Sequence, residues 1–149
     1  MRLSKKSIYA LRVLRHLGAS HGQAPLSAAR LAQLEAVPSK FLEQILTTMR
    51  KSGLLVSVQG KDGGYLLRES PERVTYGDVI RAIDGPLAPI PCASRTAPHP
   101  CADCPYPYDE CWMRRLMLEV RDSISAILDH RTLGADLRSS NEETHRELP

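Results

Sequence analysis

The chain is predicted to be mainly α-helical with a single small β-hairpin. Three observations carry that expectation. Apolar residues recur at helical spacing through residues 4–51, two short apolar runs flank the glycine-rich QGKDGG at 59–64, and a heptad-like stripe occupies 113–127. With 149 residues, 42% hydrophobic and 5% aromatic, there is room for one modest, aliphatic core.

Residues 4–20 read as the first helix, with Ile8, Tyr9, Leu11, Val13, Leu14 and Leu17 as a broad apolar stripe. A second helix fits 27–35, with Ser27 as its N-cap and Leu31 and Leu34 facing inward. Pro38 is tolerated in the first turn of a third helix, which runs to about Lys51 and stops at Ser52-Gly53. Phe41, Leu42, Ile45, Leu46 and Met49 make its buried face, while Ser39, Lys40, Glu43, Gln44 and Thr47 fall on the other side. Two short helices joined by a tight turn, the second with a polar surface, have helix-turn-helix geometry, though a small helical bundle can share it.

Strands are expected at 54–58 (LLVSV) and 65–67 (YLL), with Gly60, Gly63 and Gly64 supplying positive φ angles for the turn. A hairpin directly after a recognition helix is a wing, so the expected fold is a winged helix-turn-helix. The glycines do not read as a phosphate cradle, since no Lys-Ser/Thr pair or GxGxxG opens a helix here. Thr75 then caps a helix through Ile83, with Asp78 as the acidic member of a capping box, and Asp84-Gly85-Pro86 ends it.

A proline-rich loop without periodicity follows, and a long helix is expected from Asp109 to Asp129. Met113, Met117, Val120, Ile124 and Ile127 repeat at steps of four, three, four and three, a coiled-coil seam suited to a homodimer. The expected plan is a DNA-binding domain at 1–86, a cysteine-rich loop at 87–108, a dimerisation helix and short C-terminal helix at 109–138, and a disordered tail at 139–149.

Charge is uneven. Residues 1–68 carry eleven Lys/Arg against three acidic residues (+8), and residues 69–149 carry nine against fourteen (−5). A basic N-terminal half points to a polyanion, nucleic acid first, although a solvated basic face has the same charge. Ser39, Lys40, Glu43, Gln44 and Thr47 are the candidates for base edges in the major groove: Glu43 can accept from cytosine and Gln44 can pair with adenine. Lys5, Lys6, Arg50, Lys51 and Lys61 are placed for phosphates, and Gln59 for the wing tip. A dimer would read double-stranded operator DNA as an approximate palindrome.

No apolar run reaches the length of a membrane span, and Arg12 and Arg15 interrupt the N-terminal apolar segment, so a cytoplasmic protein is expected. All four cysteines, Cys92, Cys101, Cys104 and Cys111, lie in CASRTAPHPCADCPYPYDEC. In the cytoplasm such a cluster means metal or redox chemistry more often than structural disulfides. Cys111 is expected in the first turn of the long helix, where the macrodipole favours a thiolate. His99, between two prolines, reads as a solvated loop residue.

The chain resembles the Rrf-type winged-helix regulators of bacteria, the family that includes IscR, NsrR and RirA. The likeness runs from residue 1 to about 137 and is most specific in MRLSKKSIYALRVL, VPSKFLEQILTTMRKSGLLVSVQGKDGGYLL, TYGDVIRAIDGP and HRTLGADL. It implies a homodimeric transcriptional regulator, often a repressor, that senses iron, oxidants or nitric oxide through an iron–sulfur cluster in the loop before the long helix. Gln59 stands where relatives carry a wing arginine, Ile8 where some carry an acidic ligand, and Arg114 where others carry a ligating histidine. The usual loop has three cysteines and this one has four.

An iron–sulfur cluster of the 2Fe-2S or 4Fe-4S kind takes four protein ligands, which Cys92, Cys101, Cys104 and Cys111 would supply locally. Four thiolates also suit a structural zinc. A metal-free thiol/disulfide switch is a third reading. A thiol-disulfide oxidoreductase is the alternative from the enzyme class, although no βαβ unit accompanies Cys101-Ala-Asp-Cys104. No other catalytic constellation stands out, so a non-enzymatic regulator is expected.

Overall fold

Short polar side chains fix where the helices begin. In the computed structural model, which describes residues 2–146, the Ser4 Oγ accepts from the Ser7 N–H at 3.1 Å and opens α1 (Lys5–Ala19). The Ser27 Oγ accepts from the Arg30 N–H at 3.1 Å and opens α2 (Ala28–Glu35). The Thr75 Oγ1 accepts from the Asp78 N–H at 3.1 Å and opens α4 (Tyr76–Asp84). Each such cap is worth about 1 kcal/mol. Between them lie α3 (Ser39–Lys51), β1 (Leu55–Val58) and β2 (Gly64–Leu67). Pro38 is the N-cap of α3 rather than a member of its first turn, and α3 ends at Ser52 with Gly53 at φ +85°.

The core is aliphatic and lies between α1, α2, α3 and the base of the hairpin. Val13, Leu14, Leu17, Leu31, Leu42, Ile45, Leu46, Met49 and Leu55 are all buried there, and the Tyr9 and Phe41 rings meet edge to face at its border. Two expected core residues are outside it: Ile8 is 45% exposed and Leu34 41% exposed. Helices α3, α4 and α6 (Leu133–Arg146) crowd one side of α1, so its buried line is Ser7, Ala10, Leu14 and Gly18, and Ile8 falls beyond the flank. Leu34 is exposed on an eight-residue helix that packs through Ala28, Leu31 and Ala32.

Strands β1 and β2 pair antiparallel, from Leu55 opposite Leu67 to Val58 opposite Gly64. Of the three turn glycines only Gly60 has positive φ, at +114°. Gly64 is needed for a different reason: a Cβ there would collide with the Leu26 carbonyl. That approach lets Leu26 and Tyr65 exchange backbone bonds of 3.1 and 2.8 Å, which tie the hairpin to the start of α2.

Helix α5 (Trp112–Leu128) starts three residues later than expected, and the loop before it contains an unforeseen 3-10 turn at Pro91–Ala93. A second such turn, Pro71–Arg73, precedes α4. The C-terminal end of α5 is bound to α4. Arg81 donates to the Asp129 carboxylate at 2.7 Å, the Leu133 N–H to the Val74 carbonyl at 2.9 Å, and the Tyr76 N–H to the Arg131 carbonyl at 3.2 Å.

Helix α6 continues to Arg146, through most of the stretch expected as a tail; residues 147–149 lie outside the described residues. Leu133 and Leu137 pack against Gly18 of α1, and Arg138 reaches Glu72 at 3.0 Å. Once its first turns are anchored, a helix extends at little further cost. No helix among the described residues is long and apolar enough to cross a membrane.

Candidate functional site

Two surfaces carry the polar chemistry. The first is the outer face of α3, where Ser39, Lys40, Glu43 and Gln44 are exposed and Thr47 is half-buried. They are presented outward because Leu42, Ile45, Leu46 and Met49 hold the opposite face in the core. Arg50 and Lys51 at the end of α3, Gln59 and Lys61 on the hairpin, and Lys5 and Lys6 at the start of α1 are exposed as well. A polar helix face beside a hairpin that carries an exposed lysine at its tip is what a groove-reading helix and wing require. Val58, 41% exposed next to the hairpin tip, was not anticipated as part of this surface.

The second is a cavity of about 80 Å3 lined by Cys92, Cys101, Cys104, Cys111, Pro100, Tyr106, Tyr108 and Arg114. All four cysteines line it, and all are free thiols. Cys92 is buried because the Pro91–Ala93 turn points it inward, and Cys111 is buried as the N-cap residue of α5, one position before the expected first turn. Cys104 is half-buried and Cys101 exposed. His99 is exposed and does not line the cavity.

Two of the thiols stand close together. The Cys104 and Cys111 sulfurs are 3.9 Å apart. Cys101 is hydrogen-bonded to Cys92, which pushes its thiol pKa up. Cys111 moves the other way, first because the Arg114 backbone N–H lies at its sulfur. The first turn of α5 therefore prepares a thiolate at Cys111, in agreement with the macrodipole. Two ligands of one tetrahedral ion at about 2.3 Å are about 3.8 Å apart, so the Cys104–Cys111 spacing already suits a shared metal atom. Among the described residues, no three metal-binding side chains gather around a single point.

The cavity is braced from both sides. The Cys92 carbonyl accepts from Arg114 Nε at 3.1 Å and from the Tyr108 hydroxyl at 3.3 Å, and the Arg114 guanidinium lies 3.9 Å from the Tyr108 ring centre. Arg95, three residues after Cys92, forks onto Asp122 of α5 at 3.0 and 2.5 Å. Arg95 and then Arg121 hold the Asp122 carboxyl well below the usual carboxylate range. None of these braces was read from the sequence, because their partners lie 16 to 27 positions apart with no local pattern.

Helix α5 leaves an apolar face uncovered. Along the expected seam Met113, Val120 and Ile127 are exposed while Met117 and Ile124 are half-buried, and Trp112 and Leu116 widen the stripe. Ser125 is the one buried residue of that helix.

Comparison with known proteins agrees with the fold. The Rrf2 family model, described as an iron-dependent transcriptional regulator, matches residues 3–138. A putative rrf2-like regulator of Rhodobacter capsulatus is 38% identical over 144 residues, covering 93% of this chain and 94% of its own. Among solved structures, CymR, the global cysteine regulator of B. subtilis, superposes with a TM-score of 0.75 at 30% identity, covering 93% of this chain and 98% of its own. IscR of T. potens also gives 0.75, at 25% identity over 100% of this chain and 93% of its own. These relatives are DNA-binding regulators and not enzymes. The chain belongs to the Rrf2 family of winged-helix transcriptional regulators.

Proposed function

We propose that this regulator is a cytoplasmic homodimer that senses redox state, iron or nitric oxide through an iron–sulfur cluster held by Cys92, Cys101, Cys104 and Cys111. The observation that carries the reading is the convergence of all four thiols on one cavity at the start of α5. The residues fit the group: four thiolate donors make a complete protein set without His99 or a partner's side chain. When bound, the group supplies one-electron chemistry and sensitivity to oxidants.

The rest of the mechanism belongs to the chain. Cys111 is the N-cap of α5, so engaging its thiol fixes where that helix begins. With the thiols free, the loop is held by Arg95 on Asp122 and by Arg114 and Tyr108 on the Cys92 carbonyl. The stripe Met113, Met117, Val120, Ile124 and Ile127, partly exposed, pairs with its copy in a second chain, which sets the distance between two recognition helices. An approximately palindromic operator reads that distance. The two thiol states then differ in operator affinity by about 1–3 kcal/mol.

The test is protein purified without oxygen, with its visible spectrum recorded and iron, sulfide and zinc measured. Iron and sulfide are expected, and Cys→Ala at any of the four positions should bleach the protein while His99→Ala leaves it coloured. Colourless protein with zinc and no iron overturns the sensor and leaves a structural site.

A second reading rests on one distance. The Cys104 and Cys111 sulfurs, at 3.9 Å, are the thiols placed to form a disulfide, whose S–S bond is about 2.05 Å. Metal-free protein that loses two hydrogens on mild oxidation, with the bond mapped to that pair and operator affinity changed, would favour a thiol switch.

A further inference from the structure

Several arginines on α5, or bound to it, are charge-paired. Arg81, Arg95 and Arg121 each pair with a carboxylate. Arg114 does not: among the described residues it meets no carboxylate, although it is half-buried on α5. Its Nε is used on the Cys92 carbonyl and its plane rests on Tyr108, so the guanidinium is held in one place at the wall of the cavity. A part-buried cation fixed by two contacts and lacking an anion is costly unless a negative charge completes it. The four cysteines across the cavity are the groups that can provide it, because metal-bound thiolates leave a four-cysteine site doubly negative.

We infer that Arg114 is the positioning residue and counter-cation of the four-thiolate site. This rests on the assignment of the cavity as a metal-thiolate site. Its positive charge offsets the thiolates, and its hydrogen bond and stacking on Tyr108 hold Cys92 in place while its backbone N–H lies at Cys111. The two thiols at the ends of the loop are thus set by one residue. For an iron–sulfur core, one-electron reduction makes the set more negative by one charge, so the same cation favours the reduced form and raises the midpoint potential.

Charge and shape are separable by substitution. Arg114→Lys keeps the cation and loses the flat fork, whereas Arg114→Gln keeps a hydrogen-bond donor and loses the cation. Arg115→Gln, on an exposed neighbour in the same helix, is the control. The full chain, reduced, metal-free and kept anaerobic, is titrated with Co2+ against a competing chelator, following thiolate-to-cobalt absorption. Arg114→Gln should weaken Co2+ binding by roughly tenfold, the low end of the range for residues that support metal ligands. Arg114→Lys should stay near wild type and Arg115→Gln should match it.

In iron–sulfur-loaded protein, Arg114→Gln should lower the midpoint potential, a tenfold change in the one-electron equilibrium being about 59 mV. Equal Co2+ affinity in wild type and Arg114→Gln overturns the counter-cation. So does a lysine variant as weak as the glutamine one, because shape alone would then matter. Wild-type protein that takes up no Co2+ overturns the site itself. Wild-type protein that arrives with zinc and no iron removes the cluster, and the Co2+ comparison still decides the role of Arg114.

Discussion

The winged-helix half and the loop-plus-α5 half are built on different principles. In the first, almost every apolar side chain of α3 and the inner face of α1 is buried against a neighbour from the same chain. In the second, a 17-residue helix buries one serine, shows Trp112, Met113, Leu116, Val120 and Ile127 to solvent, and begins at a cysteine in a cavity of thiols. The second leaves an apolar stripe uncovered and four free thiols at its start, where the proposed function puts another chain and a metal group.

That contrast can be broken most directly at the core. Leu46→Ala should cost about 2–5 kcal/mol in urea unfolding, with no dependence on protein concentration. Ile127→Ala, at a residue 64% exposed, should hardly change the stability of the isolated chain. Similar costs at the two sites in dilute protein would erase the distinction.

A smaller effect is expected at the seam. Asp at both Val120 and Ile124 should weaken dimerisation by about 3 kcal/mol through buried, unpaired charge, read as a shift to monomer in sedimentation. A folded double variant that remains fully dimeric would show that the stripe is not the contact.

The junction between the halves should respond to pH. Arg81 first, and Ser125 after it, hold the Asp129 carboxyl below the usual carboxylate range. Its contribution is therefore complete above that range and is lost as pH falls through the lowered native value. Asp129→Asn should remove about 1–3 kcal/mol near neutral pH and flatten the acid limb of the stability curve. An unchanged acid limb would separate the pair from stability. Gly77→Ala should mimic part of this loss, because its Cβ would collide with the Asp129 carboxylate.

The DNA surface gives the finest comparison. Glu43→Ala should relax base preference by about 1–2 kcal/mol, measured across operator variants. Lys61→Ala should weaken all sequences alike and lower the salt slope by about 1. If both variants kept the wild-type preference and slope, α3 and the hairpin would not be the reading surface.

Local chemistry explains what was legible in the sequence. Ser27 and Thr75 announce helix starts because a cap needs only its own turn, and Met49 and Leu46 announce a buried face because helical period sets it. Period gives the direction of a stripe and not the width of what covers it, hence Ile8 and Leu34 in solvent. Gly63 and Gly64 were read as positive-φ residues, whereas their role depends on backbone brought close from elsewhere, at Val58 and Leu26. Four cysteines in one loop were visible. The approach of Cys104 to Cys111, the turn that buries Cys92 and the contacts of Arg114 were not, since each depends on partners distant in the chain.

Helix α5 is fastened at its C-terminal end, where Asp129 meets Arg81 and residues 131–133 bond to 74–76. It is a lever with its fulcrum there. A helix of 17 residues is about 25 Å long, so a displacement of about 2 Å at Cys111 turns it by about 5°. The fulcrum is on α4, and α4 packs directly on α3, the recognition helix. Under the proposed function, a small movement of one sulfur at the long arm would reach α3 as a rotation, through a single intervening helix.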